Sequence, residues 1–169
     1  MATLSNFREY SKKVRMKSPK IKRGMKFAWP WYENRDLAIM EKLKAINEEK
    51  RSGLYGSAYL RSKVINLNPV TLGRDGMMWA TSALHEAEHG VNGAGEDGAI
   101  KREFSFLGRY YKRAIATGQK GVAQRTLKAA AIAMRQRKRM VSDKARSGDK
   151  DLLLRSGFSD KASDFLLGV

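Results

Sequence analysis

The sequence has no cysteine, which excludes disulfide scaffolds, thiol nucleophiles and every zinc site built on thiolates, and fits a reducing compartment. Histidine is almost as scarce, with two in the whole chain, so any metal site must be assembled from that pair and from carboxylates. No apolar run reaches the roughly 18 residues of a membrane-spanning helix. The first ten residues lack the basic-then-apolar order of a secretory signal. Together these absences predict a protein that is cytoplasmic or packed within a virion, not secreted by the general route and without a membrane partner. Acid is also in short supply, since 17 Asp and Glu stand against 34 Lys and Arg in 169 residues, a net charge of +17. At 42% hydrophobic residues the chain can still bury a modest core, which argues against a fully disordered chain.

The excess charge is concentrated. Residues 1–28 carry nine basic residues and one acid, and residues 109–146 carry twelve and one. The stretch between them, 29–108, has ten and eleven, and the tail 147–169 has three and four. Two cationic segments flanking a neutral body are the electrostatic footprint of a polyanion partner, nucleic acid or a nucleoprotein assembly. A chain that needed only solubility would mix both signs. The expected phosphate contacts are Lys12, Lys13, Arg15, Lys17, Lys20, Lys22 and Arg23 in the first segment and Arg135, Arg137, Lys138 and Arg139 in the second. Pro19, Gly24 and the scarcity of large apolar side chains predict that 1–28 is an extended basic N-terminal arm, ordered by a protein or nucleic-acid partner. Residues 29–169 then form a single domain. The aromatic run Phe27 to Tyr32 would either anchor that arm or stack on bases.

Apolar spacing predicts helices over 36–50, 77–91, 97–116 and 121–144, and a short helix capped by Ser159. A strand is expected over 59–68, ended by Asn68-Pro69, with a partner around 54–58. The fold class is therefore α+β, mostly helical, with a small sheet of two or three strands preceding the 77–91 helix.

Both histidines fall on that helix, in His85-Glu86-Ala87-Glu88-His89. The i, i+4 spacing stacks two imidazoles on one face, close enough to share one metal, with Glu86 beside them. Zinc lowers the pKa of water towards neutrality, and a carboxylate so placed takes the proton as general base. The H-E-x-x-H pattern, preceded by the strand Val64-Ile-Asn-Leu-Asn68, resembles the zincin metallopeptidases over about residues 59–107. In that family an edge strand precedes the active-site helix and lies beside the cleft. The glutamate-ligand branch takes its third ligand from the next helix, and this resemblance implies Glu96, with Glu103 and then Asp97 as alternatives. Two positions depart from the family pattern: Glu88 is charged where the residue is usually uncharged, and Gly90 follows the second histidine at once.

The function expected from these features is that of a small zinc-dependent metallohydrolase, most simply a peptidase, with basic flanks that bind nucleic acid. His85, His89 and Glu96 would hold the zinc and Glu86 would be catalytic. The competing expectation is a non-enzymatic basic component of a virion or ribonucleoprotein-type assembly that neutralises nucleic acid, with the H-E-x-x-H pattern incidental or decayed.

Overall fold

The structure is a computed structural model that describes residues 4–169. It is mostly helical (67%) with one small three-stranded sheet, as the α+β reading expects. The described residues gather into two compact units, one ending at Ala94 and the other spanning Gly95–Val169. The compact boundary thus falls at the end of the Gly-rich stretch after His89, and not at residue 28.

The first unit begins with α1 (Leu4–Lys13) and α2 (Pro19–Ala28). Ser18 caps α2 by accepting from Ile21 N at 3.3 Å, and Pro19 starts it, where a missing N–H costs nothing. Ile21, Met25 and Ala28 are buried at helical spacing, and Gly24 is where the ring of Trp79 lies against the helix, leaving no room for a Cβ. The expected extended arm is therefore corrected. Phe7, Tyr10, Val14 and Met16 are buried as well, and the basic residues between them are the outward positions of packed structure. The apolar period is present in the sequence, diluted by the density of Lys and Arg. The aromatic run is an anchor: Trp29 is buried, with its ring centroid 5.4 Å from that of Phe7, 4.7 Å from Tyr10 and 6.0 Å from Tyr32. Tyr32 donates its hydroxyl to Ala80 O at 3.2 Å, and burial holds its pKa well above the usual phenol range.

The expected 36–50 helix is cut short. A capping box between Glu33 and Asp36 starts α3 (Asn34–Met40), and the chain then turns into β1 (Ala45–Glu48). Non-local pairing overrides the local period. Ile46 sits opposite Ile65 in a parallel pair with β3 (Val64–Leu67), and Ile46 N donates to Arg15 O at 2.9 Å on the other side. β2 (Gly56–Ala58), the partner expected around 54–58, pairs antiparallel with β3, so the order is β1-β3-β2 and β2 is an edge strand. The strand that immediately precedes the metal-motif helix, β3, is thus the centre of the sheet, and β2 takes the edge that the resemblance gave to 64–68. A single turn, α4 (Pro69–Leu72), leads to α5 (Gly76–Ala87) and a π-helical turn, Glu88–Asn92.

The second unit pairs two long helices, α6 (Glu96–Ala116) and α7 (Lys120–Met140), with α8 (Asp143–Arg146), α9 (Asp149–Ser156) and α10 (Asp160–Leu167). Ile100, Phe104, Leu107, Tyr111 and Ala114 are all buried on α6, as their spacing predicts. Ser159 caps α10 by accepting from Ala162 N at 3.2 Å.

Candidate metal centre

Asp75 starts α5 by accepting from Met77 N at 3.1 Å and Met78 N at 3.2 Å. The helix is buried on nearly every side, and the two motif histidines are 5% and 8% exposed. Imidazoles enclosed in this way need polar partners. His89 Nδ1 lies 2.6 Å from the carbonyl oxygen of Ala94, which can only accept, so Nδ1 carries the hydrogen and in the neutral ring Nε2 keeps its lone pair. That Nε2 faces His85 Nε2 at 3.1 Å, with the ring planes 76° apart. Two ligands bound at about 2.0–2.1 Å in tetrahedral geometry sit roughly 3.3–3.4 Å apart. The pair therefore comes within a few tenths of an ångström of the separation that one small cation needs.

Glu96 opens α6 seven residues after His89. His85, His89 and Glu96 each offer a ligand atom, all within 4.8 Å of one another, and this group can hold a metal ion. Neither alternative third ligand joins it. Asp97 is paired with Arg137 and, at 2.9 Å, with Lys101, and the Arg137 hydrogen bond holds its carboxyl below the usual range. Glu103 is buried further along α6, outside the group.

The two departures from the family pattern have local explanations. Glu88 is a structural residue here: it is buried, it accepts from Asn92 Nδ2 at 2.9 Å, and its carbonyl accepts from Ala94 N at 3.1 Å. Gly90 lets the π turn close on the sheet, since a Cβ there would stand 3.3 Å from Ile65 Cγ2. The wide turn also turns main-chain carbonyls outward, and those of His89 and Gly90 accept from Arg61 N at 3.0 Å and Lys63 N at 2.8 Å. Arg61 and Lys63 both take φ of 59° to make these bonds.

Glu86 is 8% exposed and lies against the edge strand. A Cβ at Gly56 would come within 2.9 Å of Glu86 Cγ and 3.2 Å of its Oε1, so the strand passes the carboxylate at backbone distance because that position is glycine. A polar group not foreseen from the sequence adjoins the same strand. Arg51 binds Glu49 through two nitrogens, at 3.0 and 2.9 Å, and Ser57 donates to the same carboxylate. The Arg51 guanidinium is held charged by Glu49 and also feels the charge of Glu86. These hydrogen bonds push the Glu49 carboxyl down to about 2.

Of the expected phosphate contacts, Lys12, Lys13, Arg15, Lys17, Lys20, Lys22 and Arg23 are exposed on the first unit, and Arg135, Lys138 and Arg139 on the second. Arg137 is not available to any phosphate. It is 1% exposed, donating from Nε to Asp149 at 2.9 Å, from Nη1 to Asp97 and from Nη2 to Ala145 O at 3.3 Å. One residue in a basic run can thus be the interior half of an ion pair, a distinction that charge counting does not make. No helix among the described residues is long and apolar enough to cross a membrane. Comparison with family models, with curated proteins and with solved structures finds no match for this chain.

Proposed function

We propose that the protein is a small zinc-dependent hydrolase acting on peptide bonds, and that the observation carrying this reading is the His85, His89 and Glu96 group, with Glu86 following His85 on α5 and lying against the edge strand β2. A zinc ion held there supplies Lewis acidity and lowers the pKa of water towards neutrality. The other steps belong to the chain. Glu86 takes a proton from the attacking water as its oxygen adds to the peptide carbonyl carbon. It returns the proton to the departing nitrogen as the C–N bond breaks, leaving a carboxylic acid and an amine, which at neutral pH exchange the acid's proton to become a carboxylate and an ammonium. His85 and His89 present Nε2, and the Ala94 carbonyl keeps His89 in the tautomer that can do so. The edge strand β2 beside Glu86 offers main-chain groups to an extended peptide, which lies alongside it as an added strand.

The reading is tested by elemental mass spectrometry on protein purified without an affinity metal, beside His85→Ala. About one zinc per chain, lost in the variant, is expected. Glu86→Gln should keep the zinc and lose peptide hydrolysis by about 10²–10⁴-fold. Absence of metal from the wild type, even after zinc is added back, would overturn the proposal.

A second reading has its own support. Between Tyr10 and Tyr32 there is no acid, and the eight Lys and Arg residues in that stretch are all exposed. We infer that this basic segment meets nucleic acid through phosphates, either to bring the hydrolase to a nucleoprotein substrate or, if the metal test fails, as the main role of a basic assembly component.

A further inference from the structure

The third member of the metal group is on a different helix from the histidines, and a hydrogen bond to its carboxylate comes from a distant part of the chain. Gln136, on α7, donates Nε2–H to Glu96 Oε2 at 3.1 Å across 40 residues of sequence. Its neighbour Arg137 pairs with the neighbouring acid, Asp97. Consecutive residues of α7 therefore hold consecutive residues of the first turn of α6. The N-cap of α6 is Gly95, which has no side chain to contribute.

The two contacts differ in chemistry, and the difference matters for a metal ligand. Arg137 is a cation that neutralises Asp97 and competes with a metal for its oxygens. Gln136 is neutral. It occupies one oxygen of Glu96, constrains the carboxylate plane and hence the direction of the other oxygen, and brings no charge of its own. Outer hydrogen bonds of this kind orient ligands and commonly carry 10–100-fold in metal affinity. The two ion pairs of buried Arg137, with the partly exposed Asp97 and the buried Asp149, tie α7 to α6 and α9, so the amide is presented from a fixed backbone.

We propose that Gln136 is a positioning residue for Glu96, splitting the adjacent acids Glu96 and Asp97 into one metal ligand and one structural ion pair. This rests on the metal reading above and deepens it. It also explains why Glu96, and not Asp97, joins the histidines, although both lie in the first turn of α6.

The test uses the full-length protein loaded with zinc or cobalt. Zinc affinity is measured by competition with a chromophoric chelator for the wild type, Gln136→Met, Gln136→Leu, Glu96→Ala and His85→Ala. Removing the amide should weaken zinc about 10–100-fold in both Gln136 variants. It should also move the visible cobalt spectrum of Gln136→Met towards that of Glu96→Ala, while the thermal midpoint of the metal-free protein stays unchanged. A purely structural glutamine would shift the midpoint and leave the cobalt spectrum alone. Wild-type affinity and spectrum in both Gln136 variants would overturn the inference. So would wild-type affinity in Glu96→Ala alongside loss in His85→Ala, an outcome that keeps the metal site but removes Glu96 from it. A wild type that takes up neither metal would overturn the metal reading itself, and this inference with it.

Discussion

The Nε2 atoms of His85 and His89 face each other at 3.1 Å because the His89 ring is held from behind, by the carbonyl of Ala94. That carbonyl is in place because the chain reverses at Gly93, which caps the π turn with φ of 68°. Gly93→Ala forces a Cβ into the left-handed region, at a cost of about 1–2 kcal/mol. The new Cβ would also stand 2.6 Å from Arg61 Nε and 2.8 Å from its Cγ, so the whole Arg61 side chain must shift to admit it. Urea unfolding should show a stability loss of that size. Zinc affinity should fall with it, because the turn that aims the Ala94 carbonyl is the one disturbed. A variant that is destabilised but binds zinc like the wild type would show that the carbonyl does not govern the ring.

Gly56 makes the same kind of argument for the general base. A methyl there would stand 2.7 Å from Asn66 O and 2.9 Å from Glu86 Cγ, and the first of these is backbone that cannot step aside. Gly56→Ala is expected to cost about 1–3 kcal/mol by overpacking. If Glu86 is the base, the peptide-cleavage rate should fall more than zinc affinity does, since the histidines are not displaced. Parallel rate and affinity measurements on the same preparation distinguish the two effects.

The core positions of α6 and the histidine pair were legible because each depends on spacing within one element. Ile100, Phe104, Leu107, Tyr111 and Ala114 follow a helical period and are buried together, and His85 and His89 are one turn apart on any helix. What the sequence concealed is set by pairing across distance. Ile46 has the spacing of a helix that includes Ile39 and Leu43, but it pairs with Ile65, and no local preference announces that partner. Arg137 and Arg139 are equivalent by composition, yet only Arg137 points at Asp149. The helical character of 4–13 and 19–28 was hidden for another reason. Lys and Arg dominate the count while Phe7, Tyr10, Val14, Ile21 and Met25 supply the buried side.

Arg137 is the interior charge whose removal should be felt most. It is 1% exposed and binds Asp149, itself 5% exposed at the side chain. Arg137→Met leaves that carboxylate buried and unpaired, at an expected cost of about 3–5 kcal/mol in urea unfolding. Replacing both partners, Arg137→Met with Asp149→Leu, should recover much of the stability, because the penalty is the orphaned charge and not the absent attraction. A double variant as unstable as the single one would mean that packing, not charge, is what Arg137 supplies.

Acid should weaken the protein through Glu49. Its carboxyl falls from 4.5 to about 2 because Arg51 and Ser57 bond the charged form. A depressed folded-state pKa adds stability that is fully present above pH 4.5 and is lost as pH falls from there to about 2. Asp97 is lowered by Arg137 and acts with the same sign. Removing the guanidinium, Arg51→Gln, raises the Glu49 pKa and so removes part of this contribution. The gap in stability between wild type and Arg51→Gln, read by denaturant unfolding across pH, should be widest near neutrality and close by about pH 2. A gap independent of pH would assign the Arg51 contribution to packing.

The exposed bases of α2 separate a phosphate-binding face from a solubilising coat. Lys20, Lys22, Arg23 and Lys26 are exposed on one short helix whose own sequence holds no acid. If each meets one phosphate of duplex DNA, replacing all four with Gln lowers the slope of log affinity against log salt by about 0.9 for each phosphate no longer neutralised, some 3–4 in all. A matched variant that removes the same charge from Lys42, Lys44, Lys63 and Arg74, also exposed but spread over the body of the first unit, should change the slope far less. Fluorescence anisotropy with a labelled duplex between about 50 and 200 mM salt covers the range in which such slopes are steep. Equal effects from the two variants would reduce the basic face to net charge alone. An effect confined to the α2 variant would place the phosphate-binding residues on that helix, in the same compact unit as His85 and His89.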